Sequence, residues 1–185
     1  MSKADLLKII GAFPEKELEN IILSSMREMF FNGDWGSADS IVEYILASNV
    51  NENLRGRIAS FGIFIAARAR DIKKALDRYR YLESLEANET IICQKAEGLL
   101  HLSDLLLPDE VPLLLELWQK SLQIKLPRMA QEKYAAIGAL LCEQFSQIHD
   151  VQSHEKIINL MEQNLDSRIY EKIVRQINLP HGKYD

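Results

Sequence analysis

Residues with little or no side chain recur at near-even intervals within segments that have the apolar periodicity of helices. They are Ser25, Gly62, Gly98 and Gly138, at spacings of 37, 36 and 40 residues. Glycine inside a helix costs about 0.5–1 kcal/mol relative to alanine, so its recurrence indicates sites where a neighbouring helix approaches closely. Around two of them, IASFGIFI and YAAIGALL place large apolar residues in the same order. The sequence therefore predicts a repeated helical unit.

Helix signals dominate the whole chain. Apolar residues recur at intervals of three and four, and alternating strand patterns are scarce. All five prolines fall at the predicted start or end of an element, where a missing N–H group is tolerated. The predicted helices span residues 3–12, 15–31, 35–48, 52–69, 71–86, 89–104, 109–125, 128–147, 151–164 and 167–177. Their short connections favour antiparallel neighbours.

A second pattern marks the alternate helices. Gly33-Asp34-Trp35 is followed by Ala38, and then by the larger Val42 and Ile45. The segment RDIKKALDRYRYLESL has Ala75 in the corresponding place, 37 residues after Ala38, and further segments begin near residues 109 and 151. An alanine at this position permits a close helix crossing, with larger side chains packing behind it.

These patterns resemble the tetratricopeptide repeat. The segment from Gly33 to Ile45 resembles the second helix of that repeat, and Tyr134, Ile137, Gly138 and Leu141 resemble its first helix. The resemblance covers residues 15–165 in four degenerate units, and their spacing exceeds the family's repeat of about 34 residues. It implies stacked helical hairpins and a role as a scaffold, adaptor or chaperone.

The predicted fold class is all-α: a right-handed stack of antiparallel helical hairpins with about four repeats of 36–42 residues. Residues 1–178 form one domain in this prediction, and residues 179–185 form a polar tail. The short first helix, with Leu6, Leu7, Ile9 and Ile10, is expected to cap the stack or to pair with a second copy. A plain helical bundle is the alternative fold.

Composition narrows the setting of the protein. The net charge of −5 argues against a general nucleic-acid binder. The first residues lack the pattern of a signal peptide, and no stretch approaches the roughly 18 apolar residues of a membrane span. Cys93 and Cys142 lie in apolar-periodic segments and are expected to be buried, reduced thiols. We expect a soluble, cytoplasmic protein without membrane insertion.

No catalytic or cofactor-binding motif is present in the sequence. Phosphate-binding, dinucleotide-binding and zinc-protease patterns are all lacking. His149 and His154 stand beside Asp150 and Glu155, but their spacing does not place them on one helical face, which favours solvated turn residues over a metal site. The expectation is a protein that is not an enzyme and has no cofactor.

Positive charge is concentrated between residues 55 and 80. This basic segment has a net charge of +6 and leaves −11 for the rest of the chain. Arginine binds carboxylates and phosphates bidentately, and arginine and tyrosine are enriched at binding hot spots. Tyr79 lies on the apolar stripe of its helix and is expected in the core. The candidate partner-binding residues are Arg55, Arg57, Arg68, Arg70, Lys73, Lys74, Arg78, Arg80 and Tyr81.

The predicted function is a non-catalytic protein–protein interaction module. Its partner would be a protein with an acidic or amphipathic segment that docks on the basic segment or in the groove of the stack. A nucleic-acid-associated regulator is the alternative, disfavoured because the acidic remainder repels phosphate. Two further alternatives stay open: the charges are only solvated helix faces, and the chain is a homodimer.

Overall fold

The computed structural model describes residues 15–178, and all regular secondary structure within them is α-helical. The helices are α1 (Glu15–Phe31), α2 (Trp35–Leu46), α3 (Glu52–Arg68), α4 (Ile72–Ser84), α5 (Glu89–Leu106), α6 (Val111–Ser121), α7 (Arg128–Gln147), α8 (Val151–Asn164) and α9 (Ser167–Asn178). The all-α class is confirmed for these residues. The predicted helix 3–12, with its four apolar residues, and the tail 179–185 lie outside the described residues.

Each predicted helix within residues 15–178 is present, and each begins within two residues of its predicted start. The largest difference is at α6, which begins at Val111 and ends at Ser121, whereas the prediction was 109–125. A proline disfavours helical geometry in the residue before it. The chain therefore leaves the helix ahead of Leu126-Pro127, and Pro127 precedes the first turn of α7.

The helices begin at regular intervals. The odd-numbered helices begin at Glu15, Glu52, Glu89, Arg128 and Ser167, which are 37 to 39 residues apart. The even-numbered helices begin at Trp35, Ile72, Val111 and Val151, which are 37 to 40 residues apart. The period predicted from the small residues is thus also the period of the helix boundaries.

Three of the turns between an odd helix and the next even helix share one hydrogen-bonded geometry. Gly33, Arg70 and His149 each have a positive φ, of 78°, 59° and 59°. Each donates its N–H to the carbonyl three residues earlier, and the next residue donates to the carbonyl five residues earlier. This is the Schellman pattern that ends a helix. The next residue is always an aspartate whose carboxylate caps the following helix: Asp34, Asp71 and Asp150.

The chain divides into two compact units, and the division falls inside α5. The N-terminal unit (residues 15–94 as described) contains α1 to α4, with α3 in contact with α1, α2 and α4. Its core is built from the inward faces of these helices, including Ile22, Met26, Val42 and Ile58. Ala38, Ala75, Tyr79 and Leu82 are buried, as the repeat pattern predicts.

The C-terminal unit (residues 95–178 as described) contains α6 to α9, with α7 in contact with α6, α8 and α9. Trp118 and Tyr134 are fully buried. The indole Nε1–H of Trp118 donates a hydrogen bond of 2.9 Å to the carbonyl of Tyr134, which satisfies its polar atom inside the core. Because that acceptor belongs to α7, the bond fixes α6 against α7.

Two of the recurring glycines lie where two helices approach the same backbone. A Cβ atom at Gly62 in α3 would lie 2.7 Å from Cγ1 of Val42 in α2 and 3.1 Å from Cδ of Arg78 in α4. A Cβ atom at Gly138 in α7 would lie 2.6 Å from Sδ of Met161 in α8 and 3.0 Å from Cζ2 of Trp118 in α6. The close-approach role predicted for these two glycines is therefore confirmed.

The shared turn geometry makes a stability prediction at His149. A non-glycine residue pays a steric cost at positive φ, so His149→Gly is expected to raise the free energy of unfolding by up to about 1 kcal/mol. Gly33→Ala is the reciprocal control and is expected to lower it by about 1 kcal/mol. Urea unfolding followed by circular dichroism measures both. A loss of stability in His149→Gly would contradict the turn geometry described here.

Candidate functional site

The basic segment lies entirely in the N-terminal unit. Arg55, Arg57 and Arg68 lie on α3, and Arg70 is in the turn that follows. The remaining candidates lie on α4 and are Lys73, Lys74, Arg78, Arg80 and Tyr81. Their environments differ, so the nine residues do not form one uniform surface.

Arg78 is buried, with 3% of its surface exposed. Its Nη1 donates to the carbonyl of Gly62 at 2.8 Å, and its Nη2 lies 2.7 Å from Oδ1 of Asp39 and 2.5 Å from Oε1 of Glu43. The two carboxylates belong to α2, so the guanidinium group joins α4 to both α2 and α3. The prediction placed Arg78 on a docking surface; the structure instead places its side chain inside the unit, where it compensates buried charge.

Asp39 holds a second cation. Nζ of Lys74 donates to Oδ2 of Asp39 at 2.8 Å. Burial alone would raise the pKa of the Asp39 carboxyl group, but hydrogen bonds and positive charge from Lys74 and Arg78 outweigh it, so that this pKa lies below its ordinary value. Lys74 and Arg78 therefore stabilise the packing of α4 on α2.

Three more arginines of the basic segment have carboxylate partners. Nη1 of Arg57 lies 2.5 Å from Oε1 of Glu19 in α1, which joins α3 to α1. Arg55 pairs with Glu52 at 3.6 Å, and the exposed Arg80 pairs with Asp77 at 3.2 Å, each within its own helix. Pairing across and along helices thus removes much of the positive charge that the sequence alone suggested.

Arg68, Arg70 and Lys73 remain as exposed cations around the turn between α3 and α4. In the described part of the chain, none of these three has a carboxylate partner. The Cζ atom of Arg68 lies 5.3 Å from the centre of the Phe64 ring, a cation–π geometry. These residues carry the positive charge that is available to a partner.

A groove of about 650 Å³ lies between α2 and α4 beside these cations. Its apolar floor includes Leu46, Ala47 and Tyr81, and the hydroxyl of Tyr81 donates to the carbonyl of Leu46 at 3.4 Å. Tyr81 is half-buried, whereas Tyr79 is in the core, as predicted. Lys73 lines the groove and connects it to the exposed cations.

An aromatic cluster in the same unit was not identified from the sequence. Phe30 stacks on Trp35 with a centroid distance of 5.5 Å and an interplanar angle of 8°, and it lies 4.8 Å from Phe64. Phe31 and Phe61 complete the cluster through edge contacts with Phe30. The available signals were the adjacent pair Phe30-Phe31 and the three-residue spacing of Phe61 and Phe64. Neither signal shows that α1, α2 and α3 bring the five rings together.

The C-terminal unit has a groove of its own. It has a volume of about 580 Å³ and lies between α7 and α9, with Ala139, Leu140, Ile173 and Ile177 on its apolar walls. Glu143 stands at the polar edge, and no residue of the basic segment lines this groove.

Chemistry-bearing side chains are dispersed in the described residues. Within 15–178 there is no group of three or more His, Cys, Asp or Glu side chains that could hold a metal ion. Cys93 and Cys142 are free thiols; Cys142 is buried, as expected, and Cys93 is half-buried. Burial raises the pKa of the Cys142 thiol to about 12, which keeps it protonated and unreactive. No helix between residues 15 and 178 is both long and apolar enough to cross a membrane.

Comparison with protein-family models, with curated proteins and with solved structures finds no match to this chain. Its function must therefore be inferred from its own residues.

Proposed function

We propose that the helices form a tetratricopeptide-like right-handed stack of hairpins. The regular helix starts, the three matching turns and the close approaches at Gly62 and Gly138 support this arrangement. Hydrogen bonds between residues 35 positions apart support it as well, because they join equivalent places in successive hairpins. These pairs are Asp39 with Lys74, Glu43 with Arg78, Leu46 with Tyr81, Asn53 with Asn88, and Gln131 with Asp166.

On this scaffold the chain acts as a non-catalytic protein–protein interaction module that binds an acidic segment of a partner protein. The observation that carries the proposal is the set of three exposed cations, Arg68, Arg70 and Lys73, without carboxylate partners in the part that the structure describes. Elsewhere in the basic segment, internal carboxylates compensate the charge. Exposed arginine beside aromatic rings is typical of interface hot spots.

A protein partner is favoured over nucleic acid by the number and setting of the exposed charges. Nucleic-acid binders use many phosphate contacts along an extended basic surface. Here three cations are exposed, and the adjoining groove also contains the acidic Glu43, Asp71 and Asp77. Such a surface suits a short segment with a few carboxylates and apolar side chains.

Affinity purification from the source cell at low salt tests this function. The wild-type protein is compared with the double variant Arg70→Glu/Lys73→Glu and with Lys156→Glu/Lys172→Glu, which makes the same charge change at exposed sites of the C-terminal unit. We expect a protein partner that the wild type and the control retain and the Arg70/Lys73 variant loses.

Two other results would contradict the proposal. Partner lists that are identical for all three proteins would exclude these cations as the binding site. Recovery of nucleic acid that is abolished by nuclease and by the Arg70/Lys73 change would support the nucleic-acid alternative in its place.

A further inference from the structure

We propose that the aromatic cluster, defined as Phe30, Phe31, Trp35, Phe61 and Phe64, is the surface on which the partner segment docks. The segment that fits has a large apolar side chain, aromatic or aliphatic, flanked by carboxylates. This inference rests on the proposed interaction function and names the part of the protein, and the chemistry of the partner, that would carry it.

The cluster is unusual in how much apolar surface it leaves exposed. Phe31 is 82% exposed and Trp35 is 39% exposed, and both contact the same half-buried ring of Phe30. Large apolar residues exposed singly are ordinary on proteins. Phe31 and Trp35 instead belong to one contiguous aromatic surface, which is characteristic of a binding site.

The rings are held in place before any partner arrives. The indole Nε1–H of Trp35 donates to the carbonyl of Phe30 at 3.1 Å, which fixes the indole ring at the start of α2. Phe30 and Phe61 pack against the buried core of the N-terminal unit. Rigid aromatic side chains lose little conformational entropy on binding, so the contact area contributes efficiently to affinity.

Charge selects the partner. The guanidinium group of Arg68 lies over Phe64 at the edge of the cluster, and Arg70 follows two residues later, exposed and without a carboxylate partner in residues 15–178. An apolar side chain placed against Phe31 and Trp35 would bring neighbouring carboxylates of the same segment toward Arg68. Arginine binds carboxylates bidentately, and a bound apolar side chain would reduce the competition from water.

The test begins with selection of short random peptides displayed on phage against the immobilised chain. Peptides that carry the predicted chemistry are expected to be enriched: net negative, with at least one large apolar residue. Binding is then measured by acrylamide quenching of tryptophan fluorescence. Trp35 is accessible to the quencher and Trp118 is fully buried, so a peptide on the cluster is expected to reduce quenching through Trp35.

Matched variants locate the site. Phe31→Asp is expected to weaken peptide binding about tenfold or more, because it removes the most exposed ring and adds a repulsive charge. Arg68→Glu is expected to act in the same direction. The controls are Met129→Asp, at a residue 71% exposed on α7, and Arg168→Glu, at an exposed residue of α9; both should leave the affinity unchanged.

The other outcomes overturn the inference in distinguishable ways. Peptides that bind Phe31→Asp as well as wild type but lose affinity in Arg70→Glu/Lys73→Glu would exclude the cluster and keep the proposed function. Enriched peptides without acidic residues would exclude the stated chemistry. A dimeric wild type that becomes monomeric in Phe31→Asp would show that a second copy covers the cluster. Failure to enrich any peptide over a blank surface would contradict both proposals.

Discussion

Replacing Arg78 by alanine is expected to lower the free energy of unfolding by about 2–4 kcal/mol. The guanidinium group is buried and bonds three acceptors, the carbonyl of Gly62 and the carboxylates of Asp39 and Glu43. Its removal leaves the Gly62 carbonyl and the mostly buried Asp39 carboxylate with lost partners, while Glu43 is exposed enough to be rehydrated. Lys74 remains on Asp39, which keeps the expected loss at the lower end of the range for buried ion pairs.

Arg80→Ala is the matched control for this prediction. It removes the same side chain from the same helix, two residues further on, where Arg80 is exposed and pairs only with Asp77. Exposed pairs of this kind contribute little, so the change should stay within about 0.5 kcal/mol. Urea unfolding of the two variants measures the difference. Equal stability of Arg78→Ala and Arg80→Ala would contradict a structural role for Arg78.

Gly62→Ala is expected to destabilise the protein by about 1–3 kcal/mol, although alanine is the better helix former. The new methyl group would lie 2.7 Å from Cγ1 of Val42, a β-branched side chain with little freedom to move, and 3.1 Å from Cδ of Arg78. Helix α2 or α4 must shift to relieve the overlap. The clash therefore outweighs the gain in helix propensity of about 1 kcal/mol.

The control for this substitution has the opposite expected sign. Gly36 lies in α2, and a Cβ atom there would have no heavy atom within 4 Å. Gly36→Ala should raise the free energy of unfolding by about 0.5–1 kcal/mol, because only the helix propensity changes. Thermal unfolding of the two alanine variants separates the effects. A stabilising Gly62→Ala would exclude the close approach of α2 and α4 at this site.

Much of the fold was predictable because it depends on short-range signals. Apolar spacing and proline placement gave the helices, and the turn Gly33-Asp34 is visible in the sequence as a glycine followed by a capping residue. The corresponding turns at Arg70-Asp71 and His149-Asp150 were harder to identify, since a non-glycine residue occupies the position with positive φ. In those turns the aspartate is the remaining local signal.

The candidate site was less predictable, because its character depends on contacts between distant residues. The charge of the basic segment suggested one docking surface, but Asp39 and Glu43 lie 35 residues before the cations that they compensate. The sequence shows the charges and not these pairs. In the same way, Phe30 and Phe64 meet only because α1 packs on α3. The tertiary structure thus separates compensated cations from exposed ones.

The central claim is that the basic segment contains two kinds of cation, one that holds helices together and one that binds a partner. Two double variants test it, and each removes two positive charges: Lys74→Gln/Arg78→Gln and Arg70→Gln/Lys73→Gln. The measurement is the urea midpoint of each variant together with its affinity for a selected acidic peptide. We predict that the first variant loses stability, while the second keeps the wild-type midpoint and loses affinity. The reverse pattern, a stable first variant that no longer binds and a destabilised second variant that still does, would contradict the claim.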